Sequence, residues 1–386
     1  MKKENYNIID LFCGTGGFSY GFTQYNNKFK VVAAVDILEI ATKTMKANHR
    51  ECVVYNEDIR KISPETVSKE IKGKQVDVII GGPPCQGFSS IRPFRSQEKN
   101  DDRNTLFEQF AIYVDFFKPQ IFVFENVVGL VTYNGGKTLE AIQNCFREIG
   151  YDTEWRILNA ANYGVPQKRE RFIMIGRPIG NEISFPKATH AFNGKTIGTK
   201  DRNKMEMLKV QCDDLPPALT IWDAISDLPE VESGHEILEY DKAPENEYQM
   251  ARRNGAEHLT MHRATLHPPK MLEIIKYAGD SIKSIPEGMI TSGFSSCYSR
   301  LRADEPGVTI TVKFTNPASS KCIHPFQNRA LTPREGARIQ SFDDTYIFCG
   351  SKTQITTQIG NAVPPQLGSA IAKSVLEMME DEDGSN

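Results

Sequence analysis

Apolar residues occur in short, nearly continuous runs along the first half of the chain. Five runs have the length and the β-branched or aromatic content of buried strands, at 7–12, 31–35, 76–80, 120–124 and 171–175. Helical spacing of apolar positions fills intervals such as 38–48 and 106–117. Strands that are apolar on both faces and alternate with helices are typical of a sheet covered on both sides. The pattern predicts a doubly wound, mostly parallel α/β domain.

This rhythm fades after Pro186, where the chain becomes richer in proline, glycine, serine and polar residues. Helical spacing returns only in patches, such as 221–228 and 269–278, and again in a last apolar stretch at 365–379. We therefore expect a first, α/β domain at 1–186 and a smaller, irregular domain at 187–354. A returning helical segment at 355–379 and a disordered acidic tail at 380–386 complete the predicted division.

Composition excludes several classes of protein. Of the 386 residues, 39% are hydrophobic and 25% charged, which is ordinary globular usage. Since no apolar run approaches the roughly 20 residues of a membrane span and no signal peptide is evident, we expect a cytoplasmic protein. The eight cysteines form no CxxC pair, which argues against a zinc knuckle or a disulfide framework.

His258 and His262 have the spacing of metal ligands. Without an HExxH motif, we expect no metal and assign them and His267 to hydrogen bonds or phosphates.

Charge is unevenly distributed, although the formal net charge is only −3. Residues 212–241 contain nine acidic residues and no Lys or Arg, whereas residues 242–338 contain 14 Lys or Arg against nine Asp or Glu. The second stretch could face a polyanion and the first would be repelled by one. Solvated surfaces would explain both stretches equally well, so charge alone leaves the two interpretations open.

Two acidic or glycine-rich features follow the first two predicted strands. The segment from Asp10 to Phe18 reads as a strand, a glycine-rich turn and a helix, without the Gly-Lys-Ser/Thr of a phosphate-binding loop. Asp36 ends the second strand, 20 residues beyond Gly16. An acidic residue in that place typically binds ribose hydroxyls. The turn alone could be a bare tight turn, but the pair indicates a cofactor that contains adenosine.

Candidate catalytic residues follow the later strands. Cys85 comes directly after Pro83 and Pro84, whose rigid backbone suits an exposed reactive thiol better than a buried structural one. Glu125 ends the next strand and would reach the same rim of the sheet. Arg169 and Arg171 are two residues apart, so they share a face of an extended segment. Taken singly, the acid and the two arginines could also be surface charges.

These blocks, in order, resemble those of the cytosine-C5 DNA methyltransferases. The resemblance rests on residues 10–17, 83–86, 125–127 and 167–171, and on the C-terminal segments 329–335 and 360–364. It covers residues 6 to about 186 and 325–375, whereas 187 to about 300 correspond to the variable target-recognition region of that family. The resemblance thus implies that the domain at 1–186 is the catalytic and cofactor-binding domain. It also implies that the domain at 187–354 is a target-recognition domain, variable over about 187–315.

The resemblance implies S-adenosylmethionine as the cofactor. Asp36 would hold the ribose, and Asp58 with Ile59 would face the adenine. Ile37 stands where some members carry a Trp that stacks on the adenine, so cofactor binding could differ in strength. The implied cofactor contacts are Phe12, Gly14, Gly16, Gly17, Asp36, Ile37, Asp58, Ile59, Pro84, Leu106, Asn361 and Val363.

The resemblance also implies the mechanism. The Cys85 thiolate would add to carbon 6 of a flipped-out cytosine and activate carbon 5 for methylation. Glu125 would stabilise the ring at N3, Arg171 would bind O2, and Arg169 would add positive field near the thiolate and a phosphate. The expected substrate is double-stranded DNA, without metal or membrane, and the expected enzyme is a monomer. The predicted DNA contacts are Gln86, Ser89, Gln167, Arg252, Arg253, Arg263, Arg300 and Arg302.

The compact chain favours a prokaryotic enzyme that protects DNA from a partner restriction endonuclease, without stable contact between the two proteins. Two alternatives stay open: methylation of tRNA, because some relatives with this fold act on tRNA, and a catalytically inactive DNA-binding homologue. The intact Cys85, Glu125, Arg169 and Arg171 argue against the second alternative.

Overall fold

The computed structural model describes residues 3–84, 106–194, 214–291, 293 and 295–383. Seven of its strands form one sheet in the order β3-β2-β1-β4-β5-β8-β6, and β7 pairs separately with β9. Neighbours from β3 to β5 are parallel, whereas β8 is antiparallel to both β5 and β6. The predicted mostly parallel α/β fold is confirmed. The strands are β1 (Tyr6–Leu11), β2 (Phe29–Asp36), β3 (Val53–Asn56), β4 (Val78–Gly81), β5 (Ile121–Asn126), β6 (Tyr151–Asn159), β7 (Gln167–Lys168), β8 (Glu170–Pro178) and β9 (Gly307–Val308).

Helices cover both faces of this sheet. Helices α1 and α11 pack on one face through Phe22 and Ile371, and α3, α4 and α5 pack on the other through Val67, Phe110 and Phe146. The described helices are α1 (Gly17–Tyr25), α2 (Glu39–Asn48), α3 (Pro64–Glu70), α4 (Leu106–Phe117), α5 (Lys137–Glu148), α6 (Ile221–Ile225), α7 (Glu247–Arg253), α8 (Pro269–Lys276), α9 (Pro333–Ile339), α10 (Lys352–Asn361) and α11 (Pro365–Asp383).

The strand order places a crevice at one edge of the sheet. From β1 the strands run outward through β2 and β3 on one side and through β4 and β5 on the other. Where the strand order reverses in this way, ligands bind beyond the carboxyl ends of the strands. The glycine-rich turn after β1 and the segment 81–84 after β4 both lie at this point.

The last helix is longer than its apolar pattern predicts. The prediction ended at 379, but α11 continues to Asp383, and Glu380 pairs with Lys28 at 2.5 Å. The expected disorder of the tail is therefore wrong for 380–383, because the polar extension still continues a helix anchored on α1. Residues 384–386 lie outside the described residues.

The smaller domain has a core of its own, centred on α9. All seven residues of α9 are buried, although they include Arg334, Glu335 and Arg338. Thr332 caps the helix and forms a capping box with Glu335. Helix α10 packs Ile359 on the same core, so the predicted division between residues 354 and 355 cuts a helix of this domain.

Candidate active site

The turn after β1 is strongly bent around the end of that strand. Phe12, Gly14 and Gly16 all have positive φ values, of 58°, 52° and 82°. The backbone N–H of Gly14 donates to the carboxylate of Asp36 at 2.8 Å, which ties this turn to the end of β2. Burial raises the pKa of Asp36, and the N–H groups of Leu38 and Gly14 that it accepts oppose that rise. Asp36 thus holds the turn in place while its second oxygen also accepts from Leu38.

A cavity of about 390 Å³ opens beside this turn, within the size range of small-molecule sites. Its wall comes from the ends of β1 and β4 in the sheet domain and from one face of α10 in the smaller domain. Five predicted cofactor contacts line it, namely Phe12, Gly14, Gly17, Asn361 and Val363. The sequence prediction missed several other lining residues, among them Asp10, Leu38, Ile40, Thr353, Gln354 and Thr357.

The other seven predicted cofactor contacts are not among the residues that line the cavity. Ile37 is 64% exposed at the end of β2, whereas Ile59 is buried in the sheet core. Asp58 caps the short turn 59–61 and pairs with Arg60, which lowers the pKa of its carboxyl. Gly16 precedes α1, Pro84 is exposed at the end of the described segment, and Leu106 begins α4.

Asp10 is the buried acid of this cavity. Its side chain is 1% exposed, and one carboxylate oxygen has no hydrogen-bond partner among the described residues. Burial raises the pKa of Asp10 to about 7, a hydrogen bond from Ser19 opposes the rise, and the charge of Asp36 adds to it. A buried acceptor with an unused oxygen favours a ligand that brings a proton donor or a positive charge. The sequence signal for Asp10 was its place at the head of the glycine-rich segment.

Glu125 and Arg171 form an ion pair at the same edge of the sheet. Glu125 lies opposite Ile173 in the β5–β8 ladder, so Arg171, two residues earlier, projects from the same face. The Arg171 Nε lies 2.9 Å from the Glu125 carboxylate, and both side chains are largely buried. Burial raises the pKa of Glu125, and Arg171 and Arg169 oppose that rise. The structure therefore brings together these two predicted residues and places Glu125 in the cavity wall.

The segment that leads to Cys85 passes directly beside Glu125. A Cβ atom added to Gly82 would lie 2.8 Å from a Glu125 carboxylate oxygen, so a side chain there would displace that carboxylate. Asn126 donates from its side-chain amide to the Pro83 carbonyl at 2.8 Å and holds the segment in place. Cys85, Gln86 and Ser89 lie outside the described residues.

The side chains of Arg169 and Gln167 are buried inside the protein. The guanidinium of Arg169 is 1% exposed and donates to the backbone carbonyls of Ile310, Gly360 and Ala362. These donors are therefore used inside the protein, while the charge of Arg169 still acts on Glu125, and its predicted positive field near the thiolate and a phosphate stays a prediction. Gln167 is fully buried between Gln340 and the N–H of Ile310, so its predicted contact with DNA is wrong for the same reason.

Three of the predicted base-reading arginines also have internal partners. Arg252 pairs with Asp343, and Arg253 pairs with Asp227. Arg300 donates to the carbonyls of His324 and Gln327. Guanidinium groups held in this way cannot reach a base edge without breaking those contacts, so their positions do not support a base-reading role.

Arg263 and Arg302 lie at the surface of the smaller domain. Arg263 is exposed, and Arg302 is 48% exposed beside Asp304. Of the three histidines, His262 contacts Thr332 and Pro229, and His267 accepts from the N–H of Ala330. His258 lies beside Glu239. Within the described ranges, no cluster of His, Cys, Asp or Glu could hold a metal ion.

Among the described residues, no helix is both long and apolar enough to cross a bilayer.

Comparison with known proteins gives this site its context. A family model for C-5 cytosine-specific DNA methylase matches residues 6–377. The Type II methyltransferase M1.HphI of Haemophilus parahaemolyticus is 36% identical over 379 residues, 97% of this chain and 87% of that protein. M.DdeI of Desulfomicrobium norvegicum, also a Type II methyltransferase, is 37% identical over 408 residues, 97% of this chain and 89% of that protein.

A solved structure supports the fold in the same way. A crystal structure described as that of a DNA modification methyltransferase encoded within an E. coli prophage has a TM-score of 0.73, with 24% identity over 97% of this chain and 100% of that chain. This likeness concerns the fold alone, whereas the family model matches nearly the whole sequence. The chain belongs to the C-5 cytosine-specific DNA methylase family, and its enzyme class is DNA (cytosine-5)-methyltransferase.

Proposed function

We propose that this chain methylates carbon 5 of one cytosine within a specific double-stranded DNA sequence. The Type II relatives favour a restriction-modification role, in which the methyl mark protects DNA from a partner endonuclease that makes no stable contact with this chain. The enzyme would act as a monomer in the cytoplasm and would need no metal.

One observation carries this proposal: the Glu125–Arg171 pair, the glycine-rich turn and the segment before Cys85 meet at one cavity. A cytosine placed there would have a carboxyl group and a guanidinium within reach of its polar edge. A flipped base is required, because a stacked base cannot expose carbon 5 and carbon 6 to such a cavity, and flipping costs a few kcal/mol.

Glu125 and Arg171 would stabilise the charge that develops on the ring. Because burial raises the pKa of Glu125, its carboxyl group can hold a proton closer to neutral pH and share it with N3. Arg171 would contact O2 of the base while still oriented by Glu125. Two groups positioned before the reaction need no rearrangement as the negative charge appears.

The cofactor class fits the residues of the cavity. S-adenosylmethionine, when bound, supplies an electrophilic methyl group on a positively charged sulfur. The unpartnered oxygen of Asp10 would accept from its ammonium group, and Asp36 would face the ribose. Asn361 and Val363 would close the pocket from the side of α10, and Ile37 would pack on the adenine.

Cys85 would be the nucleophile. We propose that its thiolate adds to carbon 6, that carbon 5 then takes the methyl group and loses its proton, and that the thiolate leaves. The position of Gly82–Pro84 beside Glu125 supports this role, because the chain continues from there directly to Cys85. Exposed thiols in an electropositive setting are the reactive ones.

The test is transfer of labelled methyl from S-adenosylmethionine to duplex DNA, with tRNA as the competing substrate. Cys85→Ser should abolish transfer and keep cofactor binding, because a hydroxyl ionises far less than a thiol near neutral pH. Cys349→Ser is the control, since Cys349 is partly exposed and is not among the residues that line the cavity.

Duplex that contains 5-fluorocytosine gives an independent readout, because fluorine cannot leave as the proton does. Peptide mapping should find the trapped base on Cys85. An adduct on Cys13 or Cys297, or methyl transfer to tRNA in preference to duplex, would refute the proposal.

A further inference from the structure

Two buried acids lie at opposite ends of β1, and they differ in their partners. Asp77 lies beside the start of the strand, pairs with Lys3 and accepts from the backbone N–H of Asn7 at 2.8 Å. Asp10 lies near the end of the strand and lines the cavity, and one of its oxygens has no hydrogen-bond partner among the described residues. Of these two acids, Asp10 is therefore the one with an acceptor left for a ligand.

The nearest groups on α1 and β2 do not give Asp10 a positive partner. Ser19 of α1 donates hydrogen bonds to it, and Asp36 at the end of β2 acts on it with a like charge. Burial is the largest cause of the raised pKa of Asp10, which lies at about 7, and Ser19 offsets only part of that rise.

The other titratable groups around Asp10 are uncharged at neutral pH. Burial raises the pKa of the Cys13 and Cys52 thiols and of the Tyr346 phenol, and Asp10 adds to each of these shifts. Burial lowers the pKa of His49, which follows α2, to about 4. These side chains therefore supply no counter-charge for an ionised Asp10.

Two cations of the same region have partners elsewhere. Lys46 donates to the Cys52 carbonyl at 2.6 Å, and Arg171 pairs with Glu125. Neither cation is among the groups that shift the pKa of Asp10. A buried carboxylate without a counter-charge is unfavourable, so Asp10 of the cofactor-free enzyme holds a proton for part of the time at neutral pH.

The amino-acid end of S-adenosylmethionine carries the charges that this wall lacks. Its α-ammonium group is a cationic donor for the unpartnered oxygen of Asp10. Thr15, buried in the same wall, has a hydroxyl without a partner among the described residues, which is a donor for the α-carboxylate. A hydrogen bond between two charged groups is stronger than one between neutral groups, so the bound cofactor favours the ionised form of Asp10.

We propose that binding of the cofactor releases a proton from Asp10 to the solvent, so that the affinity of the enzyme for its cofactor rises with pH. The ionised carboxylate accepts from the α-ammonium group, whereas the protonated carboxyl group would leave that charge without a counter-charge. The inference deepens the proposed function and rests on it, because it requires S-adenosylmethionine as the ligand. It adds a regulation of the site, since acidification lowers the fraction of enzyme that holds cofactor.

Linkage gives the sign and the size of the effect. The bound state has a lower pKa at Asp10 than the free state, so affinity is highest above the free-state pKa and falls as the pH drops below it. With that pKa at about 7, the dissociation constant should decrease about tenfold between about pH 6 and about pH 8. Close to one proton should be released per cofactor near pH 6, and about half a proton near pH 7.

Calorimetry on the full chain measures both quantities. The ligand is S-adenosylhomocysteine, the reaction product, which keeps the α-ammonium group but lacks the charged sulfur. Titrations in two buffers of different ionisation enthalpy give the number of protons released. The ligand control is 5′-methylthioadenosine, which keeps the ribose that would face Asp36 but has no amino-acid end. It should bind without proton release and with an affinity that does not depend on pH.

Asp10→Asn removes the titrating group and keeps its shape. This variant should bind S-adenosylhomocysteine without proton release, and its affinity should not change with pH. Asp77→Asn is the matched control, because Asp77 is equally buried but has Lys3 as a partner and is not among the residues that line the cavity. It should release protons as the wild type does.

Ser19→Ala keeps the inference testable if Asp10→Asn does not fold. Loss of the hydrogen bond from the Ser19 hydroxyl should raise the pKa of Asp10 further. The curve of affinity against pH should then shift to higher pH, while 5′-methylthioadenosine still binds without proton release. An unshifted curve would show that Asp10 is not the group that titrates.

The remaining outcomes separate this inference from the proposed function. Binding of S-adenosylhomocysteine without proton release in the wild type overturns the inference and leaves the proposed function intact. Proton release that persists in Asp10→Asn, or that accompanies 5′-methylthioadenosine, overturns it as well, because another group would then carry the proton. Absence of any binding of S-adenosylhomocysteine across the pH range overturns the proposed function, and this inference with it.

Discussion

The two domains bury their residues with different chemistry. The sheet domain is filled by side chains such as Ile79, Phe122 and Val123, which are fully buried and purely apolar. The smaller domain is built around α9, whose Arg334 and Arg338 are equally buried but bonded to Asp344. Buried charge in the smaller domain is paired and holds the fold, whereas Asp10 keeps an unused oxygen at the cavity.

This difference teaches where to look for function in such a chain. A buried charge that is fully paired needs no functional explanation, because the attraction of its partners offsets part of the free energy of its desolvation. Asp10 has a buried oxygen without a partner among the described residues and lines the cavity, so its charge has no such explanation within the protein.

The largest expected effect tests the paired network. Arg338→Met should lower the free energy of unfolding by about 3–5 kcal/mol, because it leaves Asp227 and Asp344 buried without that partner. Arg302→Met removes an exposed ion pair and should leave the free energy of unfolding nearly unchanged. Urea unfolding measures the loss of stability in both variants. Equally small losses in the two variants would show that the buried ion pairs of the smaller domain do not hold its fold.

The pH dependence of stability sharpens the same test. Burial alone would raise the pKa of Asp344, but Arg334 and Arg338 outweigh burial, and the pKa lies below its ordinary value. A lowered folded-state pKa stabilises the protein at neutral pH, and that stability is lost as the pH falls through the folded-state pKa. In Arg338→Met, acid unfolding should therefore begin at a higher pH, as circular dichroism would show.

Next in size is the loss of the carboxyl group at the cavity. Glu125→Gln should reduce turnover about 100-fold or more while duplex binding is retained, since an amide keeps the shape but cannot share a proton. Single-turnover methyl transfer measures the effect. If activity needs the protonated carboxyl group of Glu125, wild-type turnover should decline as the pH rises through the raised pKa of Glu125. This decline should be absent from the pH profile of the variant. Near-normal turnover would mean that the carboxyl group of Glu125 takes no part in catalysis.

A smaller effect separates exposed from internally bonded arginines. If Arg263 or Arg302 reads a base edge, its replacement by Ala should cost about 1–3 kcal/mol at one base position and relax sequence preference there. Arg300→Ala should lower stability without altering preference, because Arg300 is bonded to carbonyls of its own domain. Binding to a set of singly substituted duplexes distinguishes these outcomes, and a changed preference in Arg300→Ala would reverse the assignment.

The smallest expected effect concerns the adenine side of the pocket. Ile37→Trp places an aromatic ring where Ile37 is now 64% exposed, and stacking should tighten S-adenosylhomocysteine by about 0.5–1.5 kcal/mol. Ile179→Trp, at another exposed position, is the control and should leave the affinity unchanged. Equal affinity in wild type and Ile37→Trp would place the adenine elsewhere.

Local patterns predicted the sheet domain well, for a physical reason. A parallel strand buried on both faces must be apolar throughout, so β1, β2, β4 and β5 are visible as runs in the sequence. Strands β3 and β6 were not predicted, because their burial is partial and their residues are mixed. The turn after β1, Asp36 and Glu125 lie at one edge because the carboxyl ends of parallel strands meet there, and Arg171 reaches Glu125 because the antiparallel strand β8 begins at that edge.

Charge in the smaller domain could not be interpreted in this way. The excess of Lys and Arg at 242–338 suggested a surface for a polyanion, yet Arg329, Arg334 and Arg338 of that stretch are at most 1% exposed. Counting charges along a chain does not reveal which ones are paired. The partner of a charge can be distant in the sequence, as Asp227 is from Arg338, or can lie in the next segment, as Asp344 does from Arg334.

The sequence by itself determined the fold class and the family, because both depend on local runs and on short motifs. Only the tertiary structure decided what Arg169 and Gln167 do. Both sit in a motif beside Arg171, but their side chains turn into the protein and bond to Ile310, Gly360 and Gln340, about 140 to 190 residues away along the chain. A side chain's partners follow from packing between distant segments, and no local pattern encodes that choice.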